Sequence, residues 1–326
     1  MKKLSASGPQ GIAQLLIPTN SIDGTCDVLV QRMKEIGQPF FRWNIDLWQD
    51  YETRFDGNGF LFSDPTGRLI DAADPDVLLL WRKPFTELMD FDNQYFDAAD
   101  REQARSQMRQ WLLGLVALMR PQGRVRLIEP HAERRLPKLY QLYKARTFFK
   151  VPRSHFGINN LPTDFGPTMI IKPLGDLTMN DKNVLYTCRV NGDELYRPYP
   201  WFVQEALVEG RDVTCVHIIG RSHFFECEFV RGESAIDWRV EINTETQSSW
   251  HALSHPCLSK WQDAVNRYMK HIGLHYGRLD FILKGDALYF LECNSNGQFG
   301  WLDTQELFPM HREFIAAALD PVSTVV

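Results

Sequence analysis

The sequence lacks any pair of cysteines at disulfide-like or metal-like spacing. Its six cysteines stand singly at 26, 188, 215, 227, 257 and 293, several of them inside apolar runs, and none belongs to a CxxC pair. A disulfide framework belongs to smaller, cysteine-denser secreted chains, so these read as reduced thiols of a cytoplasmic protein. No uninterrupted apolar stretch approaches the roughly 20 residues of a membrane span. The start, Met1-Lys2-Lys3, is basic, but the apolar piece Gly11–Pro18 is too short and too polar for a signal peptide and reads as a first buried strand. A basic excess is also missing: 36 Lys and Arg against 41 Asp and Glu leave a net charge of -5 and a pI near 6.0. Nothing forms the basic stripe that nucleic-acid binding needs. Repeats and low-complexity tracts are absent too. What is present is a globular composition, 44% hydrophobic and 24% charged over 326 residues, enough for one large core or about two or three small ones.

Strand and helix signals alternate in the first part. After Gly11–Pro18, Asp23-Gly24 opens a helix-period run that Gly37 closes in the usual C-terminal position. Phe40–Ile45 is strand-like. Gly59–Ser63 and Arg68–Asp71, separated by the turn residues DPTG, predict a hairpin. Asp76–Trp81 is apolar on both faces, as in a buried strand. A helix is expected from Ala98 to Met119, stopped by Pro121-Gln122-Gly123, and a strand over Val125–Ile128. A domain boundary is placed near Pro130, followed by a helix around Leu136–Phe149. From Pro167 strands dominate: 169–172, 183–190, 201–208, 212–220 and 222–230. A helix over Ser259–His271 precedes the strand pair RLDFILK and ALYFLECN. The pattern is α+β with an α/β-like N-terminal part.

The strongest chemical signal is in that last strand pair. Asp280 interrupts an apolar strand, and after the turn Gly285-Asp286 a second apolar strand ends in Glu292-Cys293-Asn294-Ser295-Asn296. Strand periodicity lets residues 280, 282, 292 and 294 share one face. Two carboxylates and an amide oxygen are hard ligands suited to Mg²⁺, which takes a few protein carboxylates and completes its octahedron with phosphate and water. Ordinary strand-end chemistry is the competing reading, but unpaired burial of three such groups is costly. Lys138 at a helix start and Lys172 at a strand end could each hold triphosphate oxygens, although an isolated lysine is usually a solvated surface residue. Trp201–Leu207 is a strand feeding a linker, able to offer backbone groups to an adenine edge. Zinc-like spacing occurs in His251-x3-His255-x-Cys257 and His271-x3-His275, but Pro256 and Gly273 disrupt the helices that would align those side chains.

Lys138, the strand-KPLG step at 171–175, the linker QEALVEG at 204–210 and Asp280…Glu292-x-Asn294 come in the order and spacing of ATP-grasp ligases, which the chain resembles. It resembles in particular the ATP-grasp ligases of microviridin-type graspetides, through LLLWRKP (78–84), PKLYQLYKA (137–145), VPRSHFGIN (151–159), IIKPLG (170–175), NVLYTCRV (183–190), Asp237-Trp238-Arg239 and LECNSNGQFGWLD (291–303). The resemblance implies an α+β ATP-grasp fold of three subdomains, here 1–130, 131–200 and 201–326. It also implies ATP and Mg²⁺ as cofactors. Lys138 and Lys172 then resemble the phosphate-binding lysines, Glu205 and Leu207 the residues that meet adenine through the backbone, and Asp280, Glu292 and Asn294 the magnesium ligands. Arg239 and Asn296 resemble groups that grip the acyl phosphate or substrate carboxylate, though Asp237-Trp238-Arg239 also reads as a loop salt bridge.

Two features depart from the family. An arginine usually precedes the apolar strand after the linker, whereas Gly210-Arg211-Asp212-Val213 shifts the charge pair by one, so no catalytic role is carried over to Arg211. The loop after Lys172 holds only Gly175, short of a glycine-rich phosphate cradle.

The implied activity is phosphorylation of an Asp or Glu side chain of a ribosomal precursor peptide, then displacement of phosphate by a Ser/Thr hydroxyl or Lys amine to close a ring. The implied partner is that peptide, leader plus core, with the helix near 98–119 as a place for the leader, and a homodimer is compatible. An ATP-grasp ligase joining amino acids to small molecules or to a protein C-terminus is the alternative.

Overall fold

A computed structural model of the chain describes residues 13–325 except 56, 58, 93, 158–168, 175–177, 180–182, 185–187, 191–199, 231–249 and 304–309. The chain forms two compact units. One comprises Met1–Ala132, Leu274–Tyr276 and Ser295–Val326; the other comprises Glu133–Gly273 and Gly277–Asn294.

The first unit is built on a parallel sheet in the order β2-β1-β6-β7, from β1 (Gln14–Thr19), β2 (Phe40–Asn44), β6 (Val77–Leu80) and β7 (Val125–Arg126). Leu15, Leu16, Ile17, Leu79 and Leu80 are fully buried, as strands covered on both faces require. Helix α1 (Gly24–Ile36) starts where Asp23 accepts the Cys26 N–H and ends at Gly37, whose φ of 70° lets its N–H reach back to the last turn. An antiparallel sheet joins β3 (Glu52–Phe55), β4 (Phe60–Ser63) and β5 (Leu69–Asp71), the last two being the expected hairpin. Helix α2 (Ala98–Met119) carries a capping box at Asp97 and Asp100 and buries Leu112, Leu115, Val116 and Met119. That spacing is an ordinary core stripe. The strand expected over 125–128 stops at Arg126, because Leu127 takes a positive φ of 60° that a strand cannot hold.

The chain's C-terminal part joins this unit, unlike the 201–326 segment expected from sequence. Val325 N–H donates to the Val125 carbonyl at 3.0 Å, and a final helix (Met310–Leu319) buries Phe314 and Ile315.

The second unit begins within the short helix α3 (Ala132–Arg135) and contains α4 (Lys138–Ala145). One of its sheets has the order β12-β9-β13-β8, from β8 (Ser154–Gly157), β9 (Met169–Ile171), β12 (Cys188–Val190) and β13 (Trp201–Glu205); β10 (Thr178–Met179) and β11 (Asn183–Val184) pair separately. Because β13 pairs with both β8 and β9, the expected division at 200/201 would cut this sheet. The other sheet has the order β16-β15-β14-β17-β18, from β14 (Arg211–Ile218), β15 (Arg221–Val230), β16 (Trp250–Ala252), β17 (Tyr276–Lys284) and β18 (Ala287–Asn294). Helix α5 (Leu258–Ile272) buries Trp261, Ala264, Val265, Tyr268, Met269 and Ile272, one face of a 3.6-residue period. Tyr268 meets Phe290 at 5.2 Å between ring centroids, and Phe149 meets Phe281 at 5.1 Å. Each such buried ring stabilises the unit by about 1.5–3 kcal/mol. With Phe281 and Phe290 committed to this core, the alternate residues of β17 and β18 face the other way. No described helix is long and apolar enough to cross a membrane, and all six cysteines are free thiols.

Candidate active site

Strands β17 and β18 form the anticipated hairpin across Gly285 and Asp286, with Asp280 directly opposite Glu292 and Arg278 opposite Asn294. The register shifts just beyond, between Asp280 and Phe281, which sets the polar pairs apart from the apolar pairs that follow. On this face Asn294 Nδ2 donates to Asp280 Oδ2 at 3.3 Å, Arg278 Nη2 lies 3.1 Å from the same oxygen, and Thr214 Oγ1 of β14 donates to Asp280 Oδ1 at 3.0 Å. The three expected metal ligands are therefore neighbours on one sheet face.

Lys138, the first residue of α4, brings Nζ to 2.9 Å from Glu292 Oε2 and donates to the Pro173 carbonyl at 3.1 Å. It ties the helix start, the turn after β9 and strand β18 together. Lys172 directly follows β9 and adds its charge to the field at Glu292. Burial raises the pKa of Glu292, but Lys138 and Lys172, with Arg278 behind them, outweigh it and bring the value down to about 2. A carboxylate whose folded pKa is depressed stabilises the fold at pH above its unfolded value near 4.5. That contribution is lost as the pH falls toward 2. Thermal unfolding of Glu292→Gln should accordingly lose less stability between pH 5 and 3 than the wild type does; equal losses would mean that Glu292 is not held in its charged form by these cations.

Glu205 ends β13, and its carboxylate takes the Arg153 backbone N–H and Nε, both at 2.9 Å. Its side chain is thus engaged, leaving backbone recognition as its expected route to a ligand. Leu207, in the linker, packs with Ile282, Leu291 and Tyr289, an apolar patch beside the Asp280–Glu292 pair. The linker turns through Glu209, at φ 64°, into Gly210, where a Cβ would stand 2.3 Å from Ile282 Cγ2. Only glycine allows that approach.

Asn296 belongs to the first unit, where its Oδ1 accepts from Arg82 Nη1 at 2.9 Å. Arg239 lies outside the described residues, as does Gly175. Arg211 turns to Glu226, at 3.2 Å. The guanidinium beside the two carboxylates is that of Arg278, a residue the motif reading passed over. Its signal was there: it precedes Asp280 by two, so a strand puts both on one face. The histidines with zinc-like spacing disperse, His251 to Glu226 and His255 to Asp286. Among the described residues no group of three or more His, Cys, Asp and Glu side chains could hold a metal.

The site's donors nevertheless fit magnesium: two carboxylates plus an amide, all hard oxygen chemistry, with room left for phosphate and water. Asn294 turns its nitrogen to Asp280, as an amide beside a bare carboxylate must; coordination would need its oxygen there instead. Three cations, Lys138, Lys172 and Arg278, surround two acids in a chain of net charge -5, a local excess matched to a polyanion.

No family model matches the sequence, and no curated protein matches it either. Solved structures do. The macrocyclase MdnC from Microcystis aeruginosa MRC, bound with precursor peptide MdnA, superposes with a TM-score of 0.76 at 18% identity over 94% of this chain and 99% of its own. A RiPP-associated ATP-grasp ligase from Chryseobacterium gregarium, in complex with ADP and a leader and core peptide, gives 0.75 at 21% identity over 97% and 100%. The ATP-grasp ligase PsnB, complexed with a phosphomimetic variant of minimal precursor, Mg and ADP, gives 0.66 at 18% over 94% and 98%. The chain has the α+β ATP-grasp fold.

Proposed function

We propose that this protein is an ATP-dependent carboxylate ligase that forms side-chain ester or amide links, closing rings, in a ribosomally made precursor peptide. The observation that carries the reading is the β17–β18 hairpin, with Asp280 opposite Glu292 and Lys138 at 2.9 Å. The precursor peptides and ADP named with MdnC, the Chryseobacterium ligase and PsnB support it.

In this reading Asp280, Glu292 and Asn294 hold Mg²⁺. When bound, Mg²⁺ neutralises phosphate charge and orients the transferred phosphoryl group. Lys138 and Lys172 hold triphosphate oxygens as point charges. The Glu205–Leu207 linker offers backbone groups to adenine, and the Leu207, Ile282 and Leu291 side chains exclude water from its ring. Arg278 spans two oxygens of the migrating phosphoryl group, since a planar guanidinium matches that geometry. Arg239 is retained as a candidate for the substrate carboxylate. The carboxylate attacks the γ-phosphorus, ADP leaves, and a hydroxyl or amine then displaces phosphate from the acyl phosphate and gives up its proton. A cytoplasmic location agrees with ATP use and with six free thiols.

Mass spectrometry of a candidate precursor peptide, a leader followed by a core rich in Thr, Ser, Lys, Asp and Glu, with enzyme, Mg²⁺ and ATP, tests the reading. Each bond formed should remove one water from the peptide. A mass gain by added amino acids would favour the tailing alternative, and an unchanged peptide with no ADP release would overturn the assignment.

A further inference from the structure

We propose that Gln141 is a positioning residue, whose side-chain amide holds the end of β18 so that Glu292 and Asn294 stay aligned with Asp280 and at a fixed distance from Lys138. The inference deepens the reading proposed above and rests on it.

Strand β18 is the last of its sheet. In an antiparallel edge strand every second residue turns its N–H and carbonyl away from the single partner strand. Cys293, between the two expected ligands, is such a residue. It is 5% exposed, so bulk water does not satisfy these groups. Gln141 does. Its Oε1 accepts the Cys293 N–H at 2.7 Å, and its Nε2 donates to the Cys293 carbonyl at 3.1 Å. The amide stands where a further strand would place a peptide group. Nε2 also donates to the Leu136 carbonyl at 2.8 Å, and only one orientation of the amide satisfies all three bonds.

The strand needs this hold. Phe281 lies opposite Phe290 and Asp280 opposite Glu292, so Leu291 is an extra residue, a bulge that interrupts the ladder. The bulge decides which way the ligands face. Before it, Phe290 packs into the aromatic core against Tyr268 and Phe281. After it, Cys293 takes the core side, its Sγ 4.0 Å from Met269 Sδ, and Glu292 and Asn294 take the side of Asp280. A slip of one residue would turn both ligands into the core. Gln141 grips the first core-facing residue beyond the bulge, where it opposes that slip.

The same amide places the lysine. Leu136 and Gln141 flank Lys138 in the chain, and their shared bonds fix the start of α4 against the residue next to Glu292. The 2.9 Å contact of Lys138 with Glu292 follows from that docking. One neutral side chain thus sets the position of both ligands on β18 and of a phosphate-binding cation.

The alternative is that Gln141 only seals the edge of the sheet. Gln141→Met keeps the length of the side chain and removes all three bonds. Losing a group that orients metal ligands weakens a metal site by about ten- to a hundredfold. Calorimetric titration of the full chain with Mn²⁺ in the presence of ADP is therefore expected to give about thirtyfold weaker binding in Gln141→Met. The Mg²⁺ needed for half-maximal turnover of the peptide of the preceding assay should rise by a similar factor. At saturating Mg²⁺, kcat and the KM for peptide should stay within about threefold of wild type. Val265→Ala, which opens a cavity under α5 where Val265 is fully buried, serves as the control for lost stability. It should melt lower than the wild type and keep the wild-type Mg²⁺ requirement. In the metal-free proteins the Cys293 amide should be protected from hydrogen exchange in the wild type and exchange about a hundredfold faster in Gln141→Met, beyond any change in β17. If Gln141→Met does not fold, Gln141→Asn, one methylene too short to span the gap, carries the same test with about a tenfold loss of Mn²⁺ affinity expected. An unchanged metal requirement in a folded Gln141 variant, an equal rise in Val265→Ala, or an unprotected Cys293 amide in the wild type would overturn the proposal and leave the ligase reading intact. A wild type that neither binds Mn²⁺ with ADP nor converts the peptide would remove that reading and this inference with it.

Discussion

Glu292→Ala is expected to lower ATP-dependent turnover at least about a thousandfold, equivalent to ~4 kcal/mol of transition-state stabilisation. The size follows from its position. It is the carboxylate opposite Asp280 in the hairpin register and the partner of Lys138 at 2.9 Å. Without it the site keeps a single carboxylate, too little to hold Mg²⁺ against the cations around it, and the charge neutralisation that drives phosphoryl transfer is lost. Lys138 and Lys172 would face each other without the group that now compensates them. Glu292→Gln, which keeps the shape, should fare little better, because an amide brings half the oxygen donors and no charge. Steady-state ADP release checks this; activity within tenfold of wild type would remove Glu292 from the metal site.

Arg278→Ala should cost between about a hundredfold and a thousandfold in turnover, the range seen when one preorganised donor to developing negative charge is removed. Mg·ADP affinity should change by less than a factor of about three, since ADP carries no migrating phosphoryl group for Arg278 to hold. Arg278→Lys should recover little, because a point charge cannot span two oxygens. The structural basis is the 3.1 Å contact to Asp280 and the register opposite Asn294, which put the guanidinium at the edge of the acidic pair. Calorimetry with Mg·ADP beside a turnover assay separates the two effects. Equal losses in binding and turnover would make Arg278 a structural partner of Asp280.

The parts of this molecule legible from sequence are those where a local rule decides. Asp23 and Gly37 bracket α1 as capping chemistry requires, Ala98–Met119 is the helix expected, and the Gly285-Asp286 turn brings the Asp280 and Glu292 ends of the two strands together, while the register shift between Asp280 and Phe281 that sets Asp280 opposite Glu292 rather than Leu291 carries no local signal. The missed parts depend on partners distant in sequence. Strand β8 is a short, half-exposed SHFG segment that pairs with β13 through a register no local signal encodes. The C-terminal part returns to the first unit through Val325 and Val125, separated by two hundred residues of chain. Arg211, to which no catalytic role is carried over from sequence, meets Glu226 across β14 and β15, a pairing visible only once the sheet order is known. The Arg82–Asn296 contact spans the same kind of gap, and neither residue's neighbours announce it.

Anomalous diffraction from crystals grown with Mn²⁺ and ADP tests the central claim most directly. The account predicts manganese peaks bounded by Asp280 and Glu292 carboxylate oxygens and the Asn294 amide oxygen, with Lys138 released from Glu292 toward phosphate. Manganese bound elsewhere, or ADP bound with Glu292 still paired to Lys138 and no metal between the strands, would contradict it.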